Sequence, residues 1–205
     1  MKKTLSMILA LLIIACSMSA VITSYAENST NLLANKKAAD WTGYQWSKIS
    51  DSEVSKDGGN GLLVESAMHQ SIYTTVTLKP NTAYDFSFNW KSVENDKGPA
   101  FPSVIQVYSA SEVDIEDRAT NWKDGGTFNP KTGTDLEKGS NYTNEDNAKT
   151  YKWQNLSTGF VTGNGTEYHL IIRFGIVGSN NKQAINLSDF VLEEVGSADD
   201  GVDPD

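Results

Sequence analysis

Residues 72–91 hold two runs of alternating side chains with a break between them. In the first run Ile72, Thr74, Val76 and Leu78 share one parity; in the second Tyr84, Phe86, Phe88 and Trp90 do. A period of two marks a strand with one apolar face, and the β-branched and aromatic residues strengthen that reading. Between the runs, Lys79-Pro80-Asn81-Thr82 predicts a tight turn, because Pro80 presets φ and lacks an N–H while Asn81 tolerates left-handed backbone. Two strands joined as a hairpin are expected here.

The same period returns downstream. Over 102–108, Ile105 and Val107 share one face and Val104, Gln106 and Tyr108 the other. Two long strands are expected at 153–162 and 167–177, separated by Gly163-Asn164-Gly165. In the second, Leu170, Ile172, Phe174 and Ile176 lie opposite His169, Ile171, Arg173 and Gly175. A short strand at 61–65 and a closing strand at 184–195 complete an all-β pattern. Residues 111–150 break it: they are rich in Asp, Asn, Gly, Thr and Lys and carry Trp122, Phe128 and Tyr142. An insert of this length either closes over a binding site or simply protrudes.

The ends read differently from the middle. Lys2 and Lys3 precede an apolar run from Met7 to Val21, and Ser24-Tyr25-Ala26 fits a small-x-small cleavage site. Residues 1–26 therefore read as a secretory signal, which predicts an extracellular domain. Ile13-Ile14-Ala15-Cys16 offers a rival, a lipobox that would anchor the chain to the cell surface through Cys16. Residues 27–195 form the expected domain, and the acidic stretch 196–205 a solvated tail or linker.

Charge and composition remove several function classes. The leader holds only Lys2 and Lys3, so residues 27–205 are more negative than the full chain's −9. The chain has no basic block, which argues against a nucleic-acid partner. With Cys16 the sole cysteine, residues 27–205 have no disulfide, thiolate metal site or cysteine nucleophile. The glycine-rich Asp57-Gly58-Gly59-Asn60-Gly61 lacks the lysine and following helix of a phosphate loop. His69 and His169 are the only histidines, and neither has a metal-ligand spacing; no nucleophile elbow is present.

Leu78-Lys79-Pro80-Asn81-Thr82-Ala83-Tyr84-Asp85-Phe86-Ser87-Phe88 resembles a hairpin of the galactose-binding-like jelly rolls, of the type found as carbohydrate-binding modules on extracellular glycanases. Asn31-Leu32-Leu33 is similar to their opening, Trp153 to Phe160 to a middle strand, and Leu187 to Leu192 to their closing strand. The resemblance spans about 31–195 and implies a two-sheet antiparallel β-sandwich that binds a polysaccharide or cell-wall glycan without catalysis. It also implies a structural calcium near Asp57 and the closing aspartate, Asp189. The opening acid of that motif is missing, since Asn35-Lys36-Lys37-Ala38-Ala39 stands in its place, and Asp40 would substitute only with a one-residue shift.

A cleft on one sheet would be lined by residues of parity opposite to the core. That rule nominates Asn89 and Lys91, Gln106 and Tyr108, and His169 and Arg173, which include amide, guanidinium and phenol groups that pair with sugar hydroxyls. The competing reading is a hydrated outer sheet. Trp41 and Trp46 are either plugs at the end of the sandwich or rings that stack on a sugar. An adhesion or assembly domain of the same fold, and a small glycosidase with its two carboxylates on the insert, are the alternative functions.

Overall fold

In a computed structural model of the chain, residues 30–43, 47–66, 70–96, 98–111, 146–176 and 183–197 are described. They form a short 3₁₀ turn at Ala38–Asp40 and nine strands: β1 (Thr42–Gly43), β2 (Lys48–Ser52), β3 (Gly61–Ser66), β4 (Ser71–Thr77), β5 (Thr82–Ser92), β6 (Ala100–Ser109), β7 (Gln154–Val161), β8 (Glu167–Ile176) and β9 (Gln183–Ser197). Two antiparallel sheets face each other as a jelly-roll sandwich. One has the order β1-β4-β8-β6 and the other β2-β3-β9-β5-β7. The leader, most of the insert and residues 198–205 lie outside the described residues. The end of the insert is a helical turn rather than loop, and its Ala148 is buried in the core. Among the described residues no helix is long and apolar enough to cross a membrane.

The expected hairpin is not one. Strands β4 and β5 both form, but in different sheets, so residues 78–81 cross the sandwich instead of folding one strand onto the other. The second pair of expected strands behaves alike, with β7 and β8 in opposite sheets and residues 162–166 crossing between them. Alternation fixes which face of a strand is apolar; it does not fix its neighbour. The two crossings hold each other. The Leu78 N–H donates to Thr166 O at 2.8 Å and the Asn81 N–H to Gly163 O at 3.0 Å. The Thr162 hydroxyl donates to Lys79 O at 2.7 Å and accepts from the Thr82 N–H at 2.8 Å. Asn81 takes the left-handed conformation foreseen for it, at φ 49°, and the Tyr84 hydroxyl accepts from the Lys79 N–H.

The core parities hold. Ile72 and Val76 of β4, Ile105 and Val107 of β6, and Leu170, Ile172 and Phe174 of β8 are buried against Tyr84, Phe86, Phe88 and Trp90 of β5. Each such aromatic or branched side chain is worth roughly 1.5–3 kcal/mol relative to exposure. Trp41 packs its ring on Phe190 at 4.9 Å, and Phe190 lies 5.7 Å from Phe88, so Trp41 is an end plug and not an open platform. Trp46 lies outside the described residues.

Strand β9 changes parity midway. Ile185 and Leu187 point into the core, and so do Phe190 and Leu192. The register shift against β5, between Ser87↔Val191 and Asn89↔Ser188, inserts one extra residue on β9. Asp189 is at that bulge with φ 53°, a conformation that aspartate tolerates better than most residues.

Replacing Thr162 with valine keeps its shape and removes the hydroxyl joining the crossings. The Thr82 N–H is then buried without its acceptor, a cost of about 1–3 kcal/mol. Thermal unfolding of Thr162→Val is expected to fall by roughly 3–10 °C, with Thr162→Ser close to the parent.

Candidate functional site

Four of the six nominated binding residues converge on the outward face of the four-stranded sheet. Antiparallel register sets Tyr108 beside His169 and Thr75, Gln106 beside Ile171 and Tyr73, and Val104 beside Arg173 and Ser71. Phe101 follows opposite Gly175, where a Cβ would run into the phenyl ring, so only glycine admits the ring there. Thr42 of β1 extends the Tyr73 row.

The face has a closed and an open half. Val104, Gln106, Tyr108, Ile171 and Arg173 are buried, Arg173 at 3 % exposure and Tyr108 at 5 %. Tyr73 and His169 are half-buried, and Thr42, Thr75, Thr77 and Glu167 are exposed. Solvent therefore reaches the face over β1, β4 and the start of β8. The opposite-parity rule finds Tyr73 and Thr75 as readily as His169, since they alternate with Ile72, Thr74 and Val76 along β4.

His169 is the titratable centre of the open half. Its Nδ1 lies 2.9 Å from the Thr75 hydroxyl, and its ring meets Tyr73 edge-on with centroids 6.0 Å apart. Burial lowers its pKa from the ordinary 6.5, with Glu167 opposing weakly. The imidazole is thus neutral at neutral pH, with a donor and an acceptor nitrogen for neutral polar groups.

The other two nominated residues are on the second sheet. Lys91 holds its ammonium 5.0 Å over the Trp153 ring. Asn89 is buried among the residues nominated for metal. The reason is the one that dissolved the hairpin: parity assigns a face, and β5 belongs to the other sheet.

Asp57 and Asp189 do meet. The Asp189 carboxylate accepts the Asp57 N–H at 3.2 Å, the Gly59 N–H at 3.2 Å and the Ser188 hydroxyl at 2.6 Å. Gly59 is required for that approach, since a Cβ there would lie 2.7 Å from Asp189 Oδ1. The Asn89 amide nitrogen lies 3.2 Å from Asp57 Oδ2 and 3.2 Å from Asp189 Oδ2. Burial pushes the Asp189 pKa up, but Ser188, Asn89 and the backbone of Asp57 and Gly59 outweigh it and lower the net value. Calcium takes six to eight oxygen ligands. Here Asp189 faces hydrogen-bond donors, and an N–H₂ group stands between the two carboxylates, so the residues as arranged do not fit a cation. Asp40 is engaged elsewhere, accepting the Lys37 N–H at 2.8 Å. The described residues hold no group of three or more His, Cys, Asp or Glu placed for a metal.

No family model matches the chain, and no curated protein matches it. Solved structures do. The CBM22-1 xylan-binding domain from Paenibacillus barcinonensis Xyn10C aligns over 82 % of this chain and 94 % of its own, with 13 % identity and a TM-score of 0.48. A family 16 carbohydrate-binding module aligns over 79 % and 99 %, with 16 % identity and a TM-score of 0.45. The family 11 carbohydrate-binding module of the cellulosomal cellulase Lic26A-Cel5E from Clostridium thermocellum aligns over 83 % and 95 %, with 13 % identity and a TM-score of 0.44.

Because the His169 pKa is depressed in the folded state, the unfolded chain binds the extra proton first as pH falls. Its contribution to stability is complete above pH 6.5 and is lost as pH drops through the folded value. Denaturant unfolding followed downward from above pH 6.5 is expected to show less loss in His169→Gln than in the parent.

Proposed function

We propose that this chain is a non-catalytic polysaccharide-binding module whose ligand lies along the open half of the four-stranded sheet's outer face. The observation that carries the reading is the strip formed by Tyr73, Thr75 and His169 with Thr42 beside them, which joins an accessible aromatic ring to uncharged groups of both hydrogen-bonding senses. A sugar ring presents the matching chemistry, with C–H faces that cover an aromatic and hydroxyls that donate and accept. The buried Gln106, Tyr108 and Arg173 form the floor that holds the strip in place. The sequence resemblance at 78–88 points to the same ligand class.

Glycoside hydrolysis needs two carboxylates across the scissile bond; the outward rows of these four strands supply only Glu167, and residues 112–145 of the insert, where a glycosidase would carry its acids, lie outside the described residues. In this reading the 1–26 leader exports the domain, which meets its glycan outside the cell.

Affinity gels cast with soluble xylan, β-glucan, mannan or pectin test the reading. One polysaccharide is expected to retard the purified protein. Tyr73→Ala is expected to weaken that retardation about tenfold, equivalent to roughly 1.4 kcal/mol, without a comparable change in unfolding temperature. A folded protein that no gel retards, or retardation untouched by Tyr73→Ala, overturns it.

A further inference from the structure

We infer that the Asn89 side chain occupies the place of a structural cation, so that the 55–60 loop is fastened to β9 by a metal-independent clasp. The inference stands apart from the sugar reading, because it concerns the other sheet. It begins with the orientation of the amide. Asn155 of β7 donates through Nδ2 to Phe88 O at 3.3 Å and to Asn89 Oδ1 at 3.1 Å. A backbone carbonyl only accepts, so the Asn155 nitrogen is fixed, and Asn89 must turn its oxygen towards Asn155. Its nitrogen then points at Asp57 Oδ2 and Asp189 Oδ2. The positive end of a neutral dipole thus bridges two carboxylates that a divalent ion would otherwise bridge.

The surroundings agree with a clasp. Three backbone N–H groups of the loop are taken up from the β9 side: Lys56 by the Ser188 hydroxyl at 3.2 Å, and Asp57 and Gly59 by Asp189. The β9 bulge turns the Asp189 side chain to this task. Lys56 reaches Asp57 Oδ2 at 3.9 Å and supplies a cation from the chain itself. On the open side of Asp189, a cleft of about 220 Å³ is lined by Asn31, Lys36, Asn60 and Asp189 among others. The Lys36 side of that cleft thus brings a second lysine to the neighbourhood of Asp189.

Thermal unfolding of the full chain, stripped of metal and then measured with EDTA or with added calcium, tests this. Equal unfolding temperatures are expected. A rise with calcium of roughly 5 °C or more, the size that specific binding to the folded state produces, would overturn the inference. Asn89→Asp puts a third carboxylate where the amide was and provides the converse test. That variant is expected to lose stability in EDTA and regain it in calcium. If it ignores calcium, whether folded or unfolded, the amide does not stand in a cation's place.

Discussion

The sandwich depends on the hydrogen bonds between its two crossings. Residues 78–81 carry the chain from β4 to β5, and residues 162–166 carry it from β7 to β8, each from one sheet to the other. Because Lys79 O, the Thr82 N–H and Thr162 share one buried hydroxyl, the four strands meeting there are held at fixed heights. Those heights place β4 and β8 in the register that sets Thr75 against His169 and Tyr73 against Ile171. The composition of the open strip is therefore decided at the end of the sandwich, by a turn proline that cannot extend a strand and a threonine that satisfies both crossings.

The second sheet is organised by a defect. An extra residue in β9 lets Ile185 and Leu187 face the core on one side of the bulge and Phe190 and Leu192 on the other. It also frees the Asp189 side chain to collect the backbone of a loop more than a hundred residues away in sequence. Without it, Phe190 would point outward and leave Trp41 and Phe88 without the ring between them. Core packing and loop anchoring thus rest on one left-handed residue, and the two sheets keep separate tasks: one presents a polar-aromatic strip, the other secures the loop.

Much of this was legible in the sequence. Parity alone placed Tyr84, Phe86, Phe88 and Trp90 inside, and it gathered Gln106, Tyr108, His169 and Arg173 on one face. It could not say which sheet a strand joins, since pairing is decided by contacts distant in sequence. That is why 72–91 reads as a hairpin and why parity groups Asn89 and Lys91 with residues that belong to the other sheet. The β9 bulge left a visible trace, apolar residues moving from odd to even numbers after Leu187. The meeting of Asp57 and Asp189 was foreshadowed by the sequence resemblance, but the role of Asn89 was not, because the orientation of an amide depends on its neighbours and not on its spacing. The burial of Tyr108 and Arg173 likewise has no period to reveal it.

The central claim is that a glycan lies over Tyr73, Thr75 and His169. Amide and imidazole NMR signals followed while a soluble oligosaccharide of a retained polymer is added would test it most directly. Shifts confined to β1, β4 and the start of β8, with the His169 ring signals among the largest, are the result predicted. Shifts centred on β5, β7 and β9, or none at saturating oligosaccharide, would contradict it.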